Sequence, residues 1–303
     1  MDMIRHIQNL ERPTGKTDMI LDTDAYNEID DQFAIAYMLK NRQKLNIKAI
    51  YAAPFDNKNS AGPKDGMERS YDEIKKILSL VGNTDEIGVY KGSERFLVNE
   101  ETPEASPAAG HLAKLAEAYS AESPLYVVAI GAITNIASAI LINPKIIDKI
   151  VVVWLGGNAL HWHDTKEFNM YQDIAAARII FGSGVPLVHI PCWGVVSAFT
   201  VSEADLRHWL LGKNELCNYL VKHTVDEASE YADGKPWTRI IWDVTAVAWL
   251  IDGRFFCERF ERSPIPEYDG HYAYDGSRHF MKYVYHINRD ELVEDLFNKL
   301  AGS

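Results

Sequence analysis

Five short apolar runs, at residues 19–23, 47–54, 125–131, 150–155 and 186–191, constrain the fold of this chain more than any other feature. Several are apolar nearly throughout instead of alternating with polar residues, which is the pattern of parallel strands covered on both faces. Between and after them, the segments near 30–40, 67–81, 108–121, 134–142 and 172–181 read as helices. Strand and helix in alternation predict an α/β fold with a doubly wound, mainly parallel central sheet flanked by helices. Past residue 200 the chain reads as more helical. Ser202 with Asp205 three residues on is close to a capping box, and helices are expected over 214–231 and 240–251. The stretch 263–276, rich in Pro, Gly and aromatics, reads as a loop. No repeat, low-complexity tract or long linker divides the 303 residues, so one domain, 1–303, is expected.

The formal net charge of −12 argues against a nucleic-acid backbone or an anionic membrane surface as partner. It suits a neutral small molecule, or a cation held by carboxylates. The polar beginning MDMIRHIQNLERPTGK lacks the apolar core of a signal peptide, and no apolar run approaches the ~18 residues of a membrane span. Cys192, Cys217 and Cys257 are odd in number and widely spaced, so neither a disulfide framework nor a CxxC metal site is indicated. A reducing cytoplasm is the expected compartment.

In open α/β sheets ligands bind beyond the carboxyl ends of the strands. There the first strand runs into Asp22-Thr-Asp24-Ala-Tyr-Asn-Glu28-Ile-Asp30-Asp31, five carboxylates within ten residues, and then into a helix. A solvated acidic loop is the plain explanation, since helix N-termini favour Asp and Glu. Carboxylates crowded at the end of a buried strand, however, need a cation or raised pKa values. Oxygen ligands alone point to a hard ion, calcium or magnesium.

Two later segments have the same placement after an apolar run, and one further acidic residue lies on an expected helix. Gly131-Ala-Ile-Thr134-Asn135-Ile-Ala opens a helix, and its polar pair would also serve as a cap. Gly156-Gly157, whose glycines allow backbone to approach a ligand, is followed by Glu167-Phe168-Asn169, which also reads as a turn packed by an aromatic. Asp243 falls beside the apolar stripe Ile240, Val244, Val247, Ala248 and Ile251, where an unpaired carboxylate is costly. Either a metal ion or an arginine such as Arg239 or Arg178 resolves that cost.

The acidic segment resembles the N-terminal fingerprint of the nucleoside hydrolase family, Asp-x-Asp-Pro-Gly-x-Asp-Asp, although Ala25–Ile29 makes this loop two residues longer. Gly131–Ala137 is similar to the family's Gly-x-Leu-Thr-Asn-Ile-Ala, and Glu167–Asn169 to its Glu-Phe-Asn. The resemblance spans roughly residues 18–252 and implies calcium-dependent hydrolysis of the N-glycosidic bond of a ribonucleoside to free base and ribose. It implies Ca2+ on Asp24, Asp31, Asp243 and the Thr134 carbonyl, with Asp24 as the base that deprotonates water. Asp30, Glu167 and Asn169 would then hold sugar hydroxyls, joined by Asn57, or alternatively Asn59, after the second strand. Relatives in the family carry a His before the last metal ligand as acid to the base. Here Trp242 stands in that place, as a stacking partner for a leaving purine or as a core aromatic. Purine nucleosides are thus slightly favoured, His161, His163, His271 and His279 are spare proton donors, and Tyr272 and Tyr274 are candidates for a lid. A homodimer or homotetramer follows from the resemblance alone.

Asp22-Thr-Asp24 also evokes haloacid-dehalogenase-type phosphatases, but Tyr26 stands where those have Thr or Val, and the chain has no Gly-Asp pair. A non-catalytic ribose or nucleoside binder, or a hydrolase of another N-riboside, stays open as an alternative.

Overall fold

The apolar runs assemble as their lack of alternation requires. The computed structural model describes residues 1–232 and 234–302. Its strands are β1 (Thr17–Thr23), β2 (Leu45–Ala52), β3 (Gly88–Lys91), β4 (Leu125–Ala129), β5 (Ile150–Leu155), β6 (Leu187–Ile190), β7 (Thr200–Ser202), β8 (Thr238–Ile240), β9 (Phe256–Arg262), β10 (Ile265–Pro266), β11 (Tyr272–Ala273) and β12 (Phe280–Ile287). Eight of them form one sheet in the order β3-β2-β1-β4-β5-β6-β12-β9. All neighbouring pairs in it are parallel except β12 with β9.

Each central strand feeds both faces. Met19 and Leu21 of β1 join one buried cluster while Ile20 joins the other. Val151, Val153 and Leu155 of β5 likewise oppose Ile150, Val152 and Trp154. Helices cover both faces, and none of them is long and apolar enough to cross a membrane among the described residues. The alternation of β-branched residues to two apolar faces is what makes β1, β4 and β5 interior strands.

The helices differ from expectation mainly at their ends. The expected helix over 172–181 is two, Phe168–Gln172 and Ile174–Gly182, because Asp173 leaves helical geometry and caps the second by accepting from the Ala176 N–H at 2.9 Å. Ser202 and Asp205 do form a reciprocal capping box on Glu203–Trp209. The expected helix over 240–251 shortens to Val244–Trp249 behind β8. Sequence reading missed β3, β9 and β12. β3 is a four-residue, largely half-exposed edge strand, and β9, FCERFER, carries the charges of an edge strand. β12 was hidden by Lys282 and His286, of which Lys282 is buried and paired with Glu11 at 3.0 Å.

Because the sheet carries most of the stability, Ile20→Ala on β1 is expected to cost about 2–5 kcal/mol. Ser202→Ala, at a peripheral cap, should cost about 1 kcal/mol. Urea unfolding of both variants decides; equal losses would contradict the central role of the sheet core.

Candidate active site

The strand order reverses at β1: the chain leaves β1 towards β2 on one side and later enters β4 on the other. Loops that diverge from adjacent strands in this way open a crevice at their carboxyl ends. A cleft of about 210 Å³ lies there. Asp30, Asn57, Glu167, Asn169, Trp242 and Asp243 all line it. Four stretches of chain far apart in sequence therefore meet at one place.

Beneath the cleft the carboxylates crowd together. Asp22 accepts from the Asn135 amide at 2.8 Å through one oxygen, and its other oxygen has no hydrogen-bond partner. Asp24 is 1% exposed, and neither of its oxygens has a partner. Asp31 accepts from the Thr23 hydroxyl at 2.5 Å and shares a hydrogen bond with Asp243. One oxygen from each of Asp30, Asp31 and Asp243 lies within 4.8 Å of the others. Asp24 stands beside this trio, close enough for its charge to raise the pKa of Asp243. The backbone opposite has to be glycine, since a Cβ on Gly131 would sit 2.9 Å from Asp24 Oδ1.

Burial pushes Asp22 and Asp31 up to about 7. Burial, and then neighbouring carboxylates, hold Asp24 and Asp243 well above the usual range; Asp30 is also raised by burial, against the opposing pull of Arg239. The arginine alternative for Asp243 does not hold. Arg239 pairs with Glu28, Asp30 and Glu227, and Arg178 with Glu100 and Glu267. Among the described residues no cationic side chain pairs with Asp24, Asp31 or Asp243. Buried, unpartnered, all-oxygen donors of this kind fit a hard divalent cation.

Thr134 begins the helix Thr134–Ile142, and its hydroxyl donates to Asp173 Oδ2 at 2.6 Å, which turns that side chain towards Asp173. Asn135, beside it, ties Asp22 to the Ser93 loop by accepting from the Ser93 N–H at 2.8 Å.

The lining residues differ in what they offer a ligand. Glu167 caps its helix: its carboxylate accepts from the N–H groups of Gly157 (2.6 Å), Asn169 (2.9 Å) and Met170 (3.0 Å). Gly157 itself takes φ +72°, and a Cβ there would strike Met170, so this glycine serves packing where the sequence suggested ligand approach. Asn169 donates to the Ile130 and Leu155 carbonyls at 3.1 and 3.0 Å, which fixes its amide and leaves Oδ1 as its open group. Asn57 donates to Asn27 Oδ1 at 2.5 Å and lines the cleft, whereas Asn59 does not.

Trp242 is half-buried and packs edge-on against Trp193 with centroids 5.3 Å apart; Trp193 stacks in turn on Trp162 at 6.1 Å. Of the histidines, none lines the cleft. His163 and His271 are exposed beside Asp164 and Asp269, and His279 lies near His6. Tyr272 and Tyr274 donate to the Asn158 and Leu160 carbonyls at 3.3 and 3.2 Å and brace that loop from outside the cleft.

Sequence reading missed Asn27, Cys192 and Trp193 as lining residues. The available signal was position: Cys192-Trp193 follows β6 as the other motifs follow β1, β4 and β5, but without a polar signature to mark it.

Comparison with known proteins agrees with this geometry. The profile described as inosine-uridine preferring nucleoside hydrolase matches residues 19–290. Pyrimidine-specific ribonucleoside hydrolase RihA of Salmonella typhimurium is 26% identical over 264 residues, 78% of this chain and 80% of its own. A plant nucleoside hydrolase, the PpNRh1 enzyme, superposes with TM-score 0.76 at 18% identity, covering 96% of this chain and 100% of that one. The purine-preferring ribonucleoside hydrolase from Gardnerella vaginalis does so with TM-score 0.77 at 19% identity, covering 94% and 98%. A strand-end carboxylate cluster, a cleft at the switch point and a profile match over most of the chain converge: it belongs to the inosine-uridine preferring nucleoside hydrolase family.

Proposed function

We propose that this chain hydrolyses the N-glycosidic bond of ribonucleosides to free base and ribose, depends on calcium, and slightly favours purine nucleosides. The observation that carries the reading is the cleft itself, where sugar-sized space is walled by hydrogen-bonding groups beside buried carboxylates, among them Asp24 with no hydrogen-bond partner at either oxygen. Asp24, Asp31, Asp243 and the Thr134 carbonyl would hold Ca2+, which supplies Lewis-acid activation of water when bound. Asp24, with both oxygens unclaimed by protein donors, takes the proton from the attacking water. Asp30, Asn57, Glu167 and Asn169 orient the sugar through its hydroxyls. Asn169 does so as an acceptor only, because its amide hydrogens are already spent on two carbonyls.

Trp242 stacks on the departing base, with Trp193 forming the adjoining wall. This aromatic corner favours the larger purine face. The named relatives include both a pyrimidine-specific and a purine-preferring enzyme, so their names do not choose between the bases. A single domain working in a cytoplasmic homodimer or homotetramer completes the reading.

Product chromatography with inosine, adenosine, guanosine, uridine and cytidine tests the reaction. Free base and ribose should appear with calcium and vanish with chelator; tight binding without products would favour the non-catalytic alternative. Asp24→Asn should lower kcat by about 10²–10⁴ at saturating calcium, and near-normal turnover would remove Asp24 as the base.

The carboxylates also predict a pH dependence for the metal-free protein. Asp22 and Asp31 titrate near 7 in the fold, against a usual 3.8, so burial favours their protonated forms. Their contribution to stability is therefore complete below about pH 4 and is lost as pH rises through about 7. Thermal melting in chelator should fall from pH 5 to pH 8, and calcium should restore more at pH 8. A flat profile without metal would contradict the buried cluster.

A further inference from the structure

We propose that Arg239 is a positioning residue for substrate, clamping the lengthened loop after β1 and Asp30 against the helix Glu215–Ala232; the inference rests on the hydrolase reading given above. Arg239 lies on β8, and its side chain is 13% exposed. Through one guanidinium nitrogen, Nη2, it reaches Glu28 at 2.5 Å, Glu227 at 3.4 Å and Asp30 at 3.7 Å. These carboxylates come from three different places: the loop, the helix beyond β7, and the first turn of Asp30–Lys40. Glu28 and Asp30 both line the cleft.

The physical need for such a clamp follows from charge. Among the described residues no other cationic side chain lies within ion-pair distance of Glu28, Asp30 or Glu227. Removing the guanidinium leaves three partly or fully buried carboxylates facing one another and facing Asp31 and Asp243. Repulsion then drives outward the member not fixed in a helix. That member is the loop, whose Glu28 is 40% exposed at the side chain, whereas Asp30 is fastened in a helix and Glu227 in another. Burial opposes the charge on Arg239, yet Asp30, Glu28 and Glu227 outweigh it and raise its pKa. Because the loop is two residues longer than the family pattern, it needs a holding contact of its own. Arg239 supplies that contact from β8. It acts on how the sugar is held, since it pairs with no group assigned to the metal and touches none of the reacting atoms.

The test is a KM-against-kcat split in the calcium-loaded enzyme, using the nucleoside that wild type cleaves best. Arg239→Met should raise KM by roughly tenfold to a hundredfold with kcat nearly retained, and calcium binding measured by direct titration should be unchanged. Arg239→Lys should rescue only in part, because an ammonium keeps the charge but loses the planar fork. Glu28→Gln, which keeps the size of a partly exposed side chain, should raise KM in the same direction. Wild-type KM in both Arg239→Met and Glu28→Gln would overturn the inference. So would a joint collapse of kcat, KM and calcium affinity in Arg239→Met beside an unaltered Glu28→Gln, which would place Arg239 in the metal centre or the core. A wild-type protein that neither cleaves nor binds any nucleoside would instead bring down the hydrolase reading, and this inference with it.

Discussion

Mutual repulsion among Asp22, Asp24, Asp30, Asp31 and Asp243 is the constraint around which the molecule is arranged. All five are buried, and four of them, all but Asp30, have no cationic side chain to pair with among the described residues. Isolated charges in such surroundings are far too costly to persist, so the cluster either keeps protons or takes a cation. Burial raises the pKa values of Asp22 and Asp31 to about 7, which corresponds to the first outcome. The all-oxygen donor set makes the second outcome chemically natural.

Holding repelling groups together requires a rigid frame, and the sheet provides it. β1 is buried on both faces and paired on both edges, to β2 and β4, so Asp22 and Asp24 cannot retreat towards solvent. The neighbouring loops are then cross-linked to it. Asn135 joins Asp22 to the Ser93 loop. Asp173 joins Thr134, the Leu97 N–H and the start of its own helix. Asn169 bridges the ends of β4 and β5. Each of these polar groups is satisfied by backbone or side chain, which rigidifies the site without leaving further orphaned donors. Within the cluster, one oxygen of Asp22 and both oxygens of Asp24 are left without a hydrogen-bond partner.

Much of this was legible beforehand, for a local reason. A strand that ends in Asp-x-Asp, a strand that runs into Thr-Asn at a helix start, and a Gly-Gly followed by Glu-Phe-Asn each carry their polar residues immediately after an apolar run. In a parallel sheet those positions share one end of the strands. What stayed hidden depends on contacts between distant segments. Trp193 has no polar neighbour to single it out, and its place in the cleft follows only from β6 lying beside β5. Arg239 was read as a possible partner for Asp243 but reaches Glu28, Asp30 and Glu227, because β8 pairs with β7 and turns that side chain towards the β1 loop. The edge strand β9 and its neighbour β12 carry charges that obscure their periodicity.

The sequence by itself determined the parallel sheet, the strand-end carboxylates and the order in which polar motifs follow strands, because hydrophobic periodicity and turn chemistry act over a few neighbouring residues. Only the tertiary structure decided which carboxylates approach within 4.8 Å and which asparagine faces the cleft. It also decided that no histidine among the described residues lines the cleft, and that one half-buried arginine answers three acids. Those outcomes depend on distances between segments more than two hundred residues apart, such as Glu28 and Arg239. Packing of one helix or strand against another sets such distances, and no local pattern encodes them.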